Sequence, residues 1–173
     1  GTAVTSGASN VLVGHSAGLA LEAGNYNVAV GTLALAAEDG HGKNVAIGYG
    51  ALQVQDAGAD AFNIGIGFNA GTSVSNGIRN IIIGGNAGDA LTTANDNTII
   101  GYNAGTAMIS SAESVLIGKD AGLSLTTGHY NVAIGDSALN TEDSGGKNVA
   151  IGKSALASLN AGGDGNNVAI GYR

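Results

Sequence analysis

A glycine preceded by Val or Ile returns at Gly14, Gly31, Gly48, Gly67, Gly84, Gly101, Gly118, Gly135, Gly152 and Gly171, at intervals of 17, 17, 19, 17, 17, 17, 17, 17 and 19 residues. A beat sustained over ten copies restricts the chain to architectures in which each repeat is one unit stacked on its neighbours. A longer echo lies over it, because residues 10–69 match 114–173 at an offset of 104. "GNYNVAVG" (Gly24–Gly31) is answered by "GHYNVAIG" (Gly128–Gly135), and "GKNVAIG" is spelled twice, at Gly42–Gly48 and Gly146–Gly152. The expected fold is therefore all-β, a parallel β-solenoid of about ten 17–19-residue rungs forming a single array over residues 1–173.

Each position in the rung has a physical reading. The residue before the marker glycine is Val or Ile in all ten copies, and two residues earlier it is Val or Ile in nine, with Thr98 the exception. These two share one strand face and are β-branched, which predicts that they form the core side. The residue between them is Leu12, Ala29, Ala46, Gly65, Ile82, Ile99, Leu116, Ala133, Ala150 or Ala169, never polar. It is expected on the opposite face. A strand apolar on both faces is buried on both, so that second face predicts cover by another copy of the chain and an obligate homo-oligomer of rods packed side by side.

Four residues before the glycine stands Asn in nine copies, with Ser114 in the tenth. Stacked at one rung spacing, these amides predict a hydrogen-bonded ladder. Ala follows three residues after every complete marker, from Ala17 to Ala155, with Gly or Leu behind it. Polar stretches such as "AAEDGHG" (Ala36–Gly42) and "TEDSGG" (Thr141–Gly146) are expected as exposed turns, and they take up the inserted residues.

Composition narrows the chemistry. Gly is 31 of 173 residues, aromatics are 4% and Pro is absent, so the core must be small and aliphatic and a collagen-like chain is excluded. The absence of Cys removes disulfides and thiolate chemistry. A net charge of −7 with six Lys and Arg argues against a nucleic-acid partner, and no apolar run suggests membrane insertion. The chain starts without Met and ends mid-rung at "NVAIGYR", which predicts a piece of a longer fibre.

"NVAIG" followed by "xxAL" or "xxAG" resembles the head repeat of trimeric autotransporter adhesins and related arrays in bacteriophage tail fibres, from about Asn10 to Arg173. The resemblance implies a left-handed parallel β-roll, a homotrimer, and non-enzymatic attachment to a host cell surface through a glycan or protein receptor. Adhesin coils are usually shorter than these rungs, and "GxNAG" and "SALN" turns look closer to phage fibres. A virion tail fibre, as receptor-binding head or rigid shaft, is thus the first expectation, and a bacterial cell-surface adhesin head the second.

Other chemistries fit less well. A hexapeptide acyltransferase helix needs a six-residue beat, which a 17-residue rung does not supply, and His15, His41 and His129 lie in or beside turns. A calcium-bound roll needs Asp on a nine-residue beat; the 13 acids scatter, so no metal site or cofactor is expected. A glycan-cleaving fibre enzyme would need paired carboxylates. Glu38–Asp39 and Glu142–Asp143 recur with their rung and Asp56–Asp60 is echoed only at Asp164, so no catalytic residue is assigned. "GIGFNAG" (Gly65–Gly71) lacks the Lys-Ser/Thr of a phosphate loop. Tyr49, Phe68 and Tyr102 each follow a marker glycine in rung phase and form the candidate binding stripe, suited to a sugar face; Tyr172 shares that phase.

Overall fold

A computed structural model describes residues 4–173. Ten three-residue strands, β1 (Val11–Val13), β2 (Val28–Val30), β3 (Val45–Ile47), β4 (Ile64–Ile66), β5 (Ile81–Ile83), β6 (Thr98–Ile100), β7 (Val115–Ile117), β8 (Val132–Ile134), β9 (Val149–Ile151) and β10 (Val168–Ile170), make one parallel sheet in sequence order. Equivalent positions pair throughout, as in Val28↔Val45, Ala29↔Ala46 and Val30↔Ile47. The 19-residue rungs keep the same register, with Val45↔Ile64 and Val149↔Val168. Their extra residues are absorbed in the turns. The chain is a β-solenoid of about nine turns.

The marker glycine is fixed twice over. Its φ lies between 123° and 145° in every rung, where side chains are strongly disfavoured. In every rung but the last, where Gly171 faces open space, it also touches the backbone of the next rung: a Cβ on Gly14 would stand 2.7 Å from the carbonyl oxygen of Gly31, and one on Gly67 2.5 Å from that of Gly84. No other residue fits this column.

The asparagine column is continuous. The backbone N–H of Asn27 donates to Oδ1 of Asn10, that of Asn44 to Asn27, Asn63 to Asn44, Asn80 to Asn63 and Asn97 to Asn80, at 2.8–3.1 Å. Ser114 keeps the chain of bonds, donating its N–H to Asn97 and accepting that of Asn131 on Oγ. Nδ2 then binds a carbonyl fourteen residues on, as from Asn80 to Ala94 (2.9 Å) and Asn97 to Ser111 (2.9 Å). These amides therefore satisfy the backbone of the next rung as well as a turn, whereas at the two 19-residue steps Asn44 Nδ2 binds Glu38 and Asn148 Nδ2 binds Asn131 instead. The expected amide-to-amide contacts are present as a supplement, for example Asn97 Nδ2 to Asn80 Oδ1 at 3.1 Å.

The structure reverses the expected strand faces. The middle residues Ala29, Ala46, Gly65, Ile82, Ile99, Leu116, Ala133 and Ala150 are buried inside the coil; Leu12 and Ala169, on the end strands, are half-buried. The flanking Val and Ile pairs point outward and remain half-buried or exposed, with Ile47 and Ile81 each 37% exposed. A three-residue strand places two side chains on one face and one on the other. The narrow inner side of the coil receives the single one.

That inner position obeys a size rule. Where the fourth residue after the marker is Gly, the strand centre is large: Leu12 with Gly18, Ile82 with Gly88, Ile99 with Gly105, Leu116 with Gly122. Where it is Leu, the centre is Ala: Ala29 with Leu35, Ala46 with Leu52, Ala133 with Leu139, Ala150 with Leu156. The two positions compete for one space, since a Cβ on Gly122 would meet Leu116 Cδ1 at 2.9 Å. In the rung with Gly at both, Leu52 from the preceding rung fills the gap, 2.7 Å from where a Gly65 Cβ would be. The backbone is left-handed at this column even for leucine (Leu35 φ 50°, Leu139 φ 52°). Its N–H is held by the next rung, as in Leu35 to the carbonyl of Ala51 (3.0 Å) and Gly122 to that of Ala138 (2.9 Å).

The seventh residue after the marker follows suit. Gly-type rungs bury Leu21, Val74, Leu91, Met108 or Leu125 there. Three Leu-type rungs bury Glu38, Gln55 or Glu142 instead. Two glutamates in turns expected to be exposed are thus part of the interior, and they bind backbone: Glu38 Oε1 accepts the N–H of His41 (3.0 Å), and Glu142 accepts those of Gly145 (2.7 Å) and Ala161 (3.0 Å). Leu already occupies the apolar space in these rungs, so the seventh residue is released to satisfy the turn.

Two stability outcomes follow. Asn80→Ala leaves the buried N–H of Asn97 and the carbonyl of Ala94 unpaired and should cost about 2–4 kcal/mol. Asn80→Ser, which installs the residue that already serves the ladder at Ser114, should recover part of that loss in a denaturant midpoint. Ala133→Leu should overpack by about 1–3 kcal/mol, and Leu139→Gly should open a cavity costing about 2–5 kcal/mol. Together they convert the rung to the other type, so the double variant should lose at least about 1 kcal/mol less than the sum.

Candidate functional site

The residue after each marker glycine stands at the outer corner where the strand ends. In chain order the corner carries His15, Thr32, Tyr49, Phe68, Gly85, Tyr102, Lys119, Asp136, Lys153 and Tyr172. Tyr49 and Phe68 stack, with ring centroids 5.3 Å apart and planes 14° from parallel. Tyr102, two rungs beyond Phe68, leans over Gly85, where a Cβ would lie 3.4 Å from its Cδ2. The three rings are 48%, 56% and 56% exposed and form one row. Tyr172 lies on the last rung, beyond the charged positions and apart from this row.

A second row runs beside the aromatic one. Two residues after the marker stand Asn69, Asn86, Asn103 and Asp120, all left-handed with φ 53–55°, a conformation that Asn and Asp tolerate. Their N–H groups bind the corner carbonyls below, Asn69 to Tyr49 and Asn86 to Phe68, each at 2.8 Å. Asn86 Nδ2 donates to Asn103 Oδ1 (3.4 Å), and Asn103 Nδ2 to Asp120 Oδ1 (3.3 Å). Half-buried amides alongside exposed ring faces combine stacking with directional hydrogen bonds, the pairing that a sugar ring offers in return. The recurrence of Asn or Asp at this phase is the sequence signal for this row.

The corner column then becomes charged, with Lys119 against Asp120 (3.0 Å) and Lys153 against Asp136 (3.6 Å). On another edge, five residues before each marker, stand exposed Tyr26, Lys43, Phe62, Arg79, Tyr130 and Lys147. Lys43 and Lys147, the charged letters of the duplicated "GKNVAIG", each bind an aspartate 17 residues on, Asp60 and Asp164, at 2.5 Å. The hydrogen bond from Lys43 holds Asp60 below the usual carboxylate range. Lys43 also lies 5.1 Å above the Phe62 ring. These pairs are exposed and worth little each.

The acidic turns differ from one another. Glu38 is fully buried, accepts the His41 N–H and also Asn44 Nδ2 (3.3 Å). Burial pushes its carboxyl up to about 7 against the opposing His41 N–H, and the neighbouring Asp56, Asp39 and Asp60 add to the rise. Potential ligand atoms of Glu38, Asp39, His41 and Asp56 all lie within 4.8 Å of one another. The sequence suggests no metal site here, because Asp56 is a full rung away from Glu38 and no nonapeptide beat joins them.

Searches against protein-family models, curated proteins and solved structures find no match to this chain. The functional reading therefore stands on the residues themselves.

The stacked rings are half-exposed and the coil closes beneath them without their help. Phe68→Ala should therefore shift unfolding by no more than about 1.5 kcal/mol. A larger loss in thermal or denaturant unfolding would make the row a structural corner instead of an available surface.

Proposed function

We propose that this chain is a non-enzymatic rod segment of an extracellular attachment fibre, of the phage tail-fibre or surface-adhesin kind, built from three side-by-side copies. The observation that carries this reading is the outward strand face. Val28, Val30, Val45, Ile47, Ile64, Ile66 and their equivalents form two parallel files along ten rungs, apolar but for Thr98 and left half-buried or exposed by the coil itself. A continuous apolar file of this length marks an interaction surface. Its period is the rung spacing of about 4.8 Å, and a second copy of the same array matches that period. Three copies follow from the resemblance to trimeric adhesin and tail-fibre repeats.

Within such a fibre, the row of Tyr49, Phe68 and Tyr102, flanked by Asn69, Asn86 and Asn103, is the surface proposed to meet a host glycan. The amides support contact over a purely spacing role because, besides linking successive rungs, they set hydrogen-bonding groups directly beside the exposed ring faces. A bacterial cell-surface adhesin head uses the same surfaces and is the second reading.

Multi-angle light scattering at low micromolar concentration should give a trimer, and Ile47→Lys with Ile81→Lys should give folded monomers; a folded monomer of the unmodified chain would overturn the assembly. On a glycan array the chain should bind a restricted set of sugars, and Tyr49→Ala with Phe68→Ala should abolish that binding while the trimer persists. Unchanged attachment after those two substitutions would leave the rod a spacer.

A further inference from the structure

We infer that Glu38, Asp39, His41 and Asp56 form a binding site for one divalent transition-metal ion of the zinc type. One ligand atom from each lies within 4.8 Å of the other three, close enough for small side-chain adjustments to bring all four onto one ion, whose tetrahedral donors stand about 3.4 Å apart. Glu38 and Asp56 come from successive rungs, so the solenoid's stacking, not a local motif, assembles the set.

A second observation points into the cluster. The His41 side chain as a whole is 37% exposed, but its Nδ1 is a buried atom with no hydrogen-bond partner, the one such side-chain atom among the described residues. It faces Glu38 Oε1 at 3.9 Å, too far for a hydrogen bond. A buried ring nitrogen without a partner is an unmet demand, and a metal ion between imidazole and carboxylates meets it. The imidazole selects zinc-like ions over calcium or magnesium, which prefer all-oxygen sites.

The internal echo supplies a control within the same molecule. At the offset of 104, Glu38 and Asp39 are repeated as Glu142 and Asp143, while His41 becomes Gly145 and Asp56 becomes Asn160. In that copy Glu142 is satisfied by the N–H groups of Gly145 and Ala161. The fold therefore needs the buried glutamate but neither the imidazole nor the second-rung carboxylate. His41 and Asp56 are additions to a rung that closes without them, and their addition concentrates three carboxylates and an imidazole at one point. Lys43, two residues beyond His41 in the chain, is engaged with Asp60.

The same echo supplies variants that the fold already accepts. Isothermal titration of the full chain with zinc chloride should show one ion bound per chain, and His41→Gly and Asp56→Asn should each weaken binding at least about tenfold. Histidine 1H–15N spectra of the unmodified chain should show His41 shifting with zinc ahead of His15 and His129. Absence of saturable binding below millimolar zinc would overturn the site. So would an affinity unchanged from that of the unmodified chain in both variants, or equal shifts of all three histidines. Circular dichroism establishes that each variant is folded, and the spectra of the unmodified chain decide the matter should either variant unfold.

Discussion

The structure depends on a backbone N–H that would otherwise be buried without a partner. From β2 onward, the N–H of the residue before each strand, an asparagine in all cases but Ser114, points along the solenoid axis into the preceding rung, where a side-chain oxygen receives it. Leaving such a donor unpaired costs about 1–3 kcal/mol, and the demand is repeated in every rung. An amide meets it while its nitrogen ties down a turn fourteen residues away. Ser114 has no second arm, and there the nearby Ser111 hydroxyl takes over, donating to the Gly128 carbonyl that an amide would otherwise reach. Once this ladder is set, rung spacing and strand register are set with it, and the marker glycine becomes obligatory because the next backbone lies directly against it.

Much of this is legible in the sequence. Period, strand position, parallel order and the asparagine column can all be read from spacing, because each is imposed identically on every rung. Which strand face turns inward cannot be read that way, for a physical reason. β-branched uniformity suggests a core, yet the true interior position varies among Gly, Ala, Leu and Ile. In a coil this narrow, an interior position must answer to its partner across the space, so it varies in compensation with the residue four beyond the marker. Uniformity marks the face with no such partner inside the coil.

The surfaces are partly legible for a related reason. Tyr49 and Phe68 share rung phase and are adjacent in the count, and they do stack. The neighbouring Asn69, Asn86 and Asn103 are easily passed over, because Asn in a turn is ordinarily explained by its tolerance of left-handed backbone, which these residues also use. Glu38 and Glu142 are expected on the surface because nothing in a single rung shows a glutamate turning inward. The sign lies in the preceding Leu, which has already filled the apolar space. The grouping of Asp56 with His41 depends on one turn resting on another, and a one-rung pattern has no means of expressing it.

All joints between rungs share the strand register and the bond from a backbone N–H to the side chain of the rung before, including the joints that carry two extra residues in their turns. A segment of whole rungs can therefore be copied and rejoined without any strand changing its neighbours' chemistry. The offset of 104, five 17-residue steps and one of 19, has the form such an event would leave in the sequence. The two sets of turns are not identical: histidine and aspartate stand at positions 41 and 56 where the twin has glycine and asparagine. For this architecture, reach grows in whole steps, and each added step is a fresh place where surface chemistry can diverge while the stack below it stays unchanged.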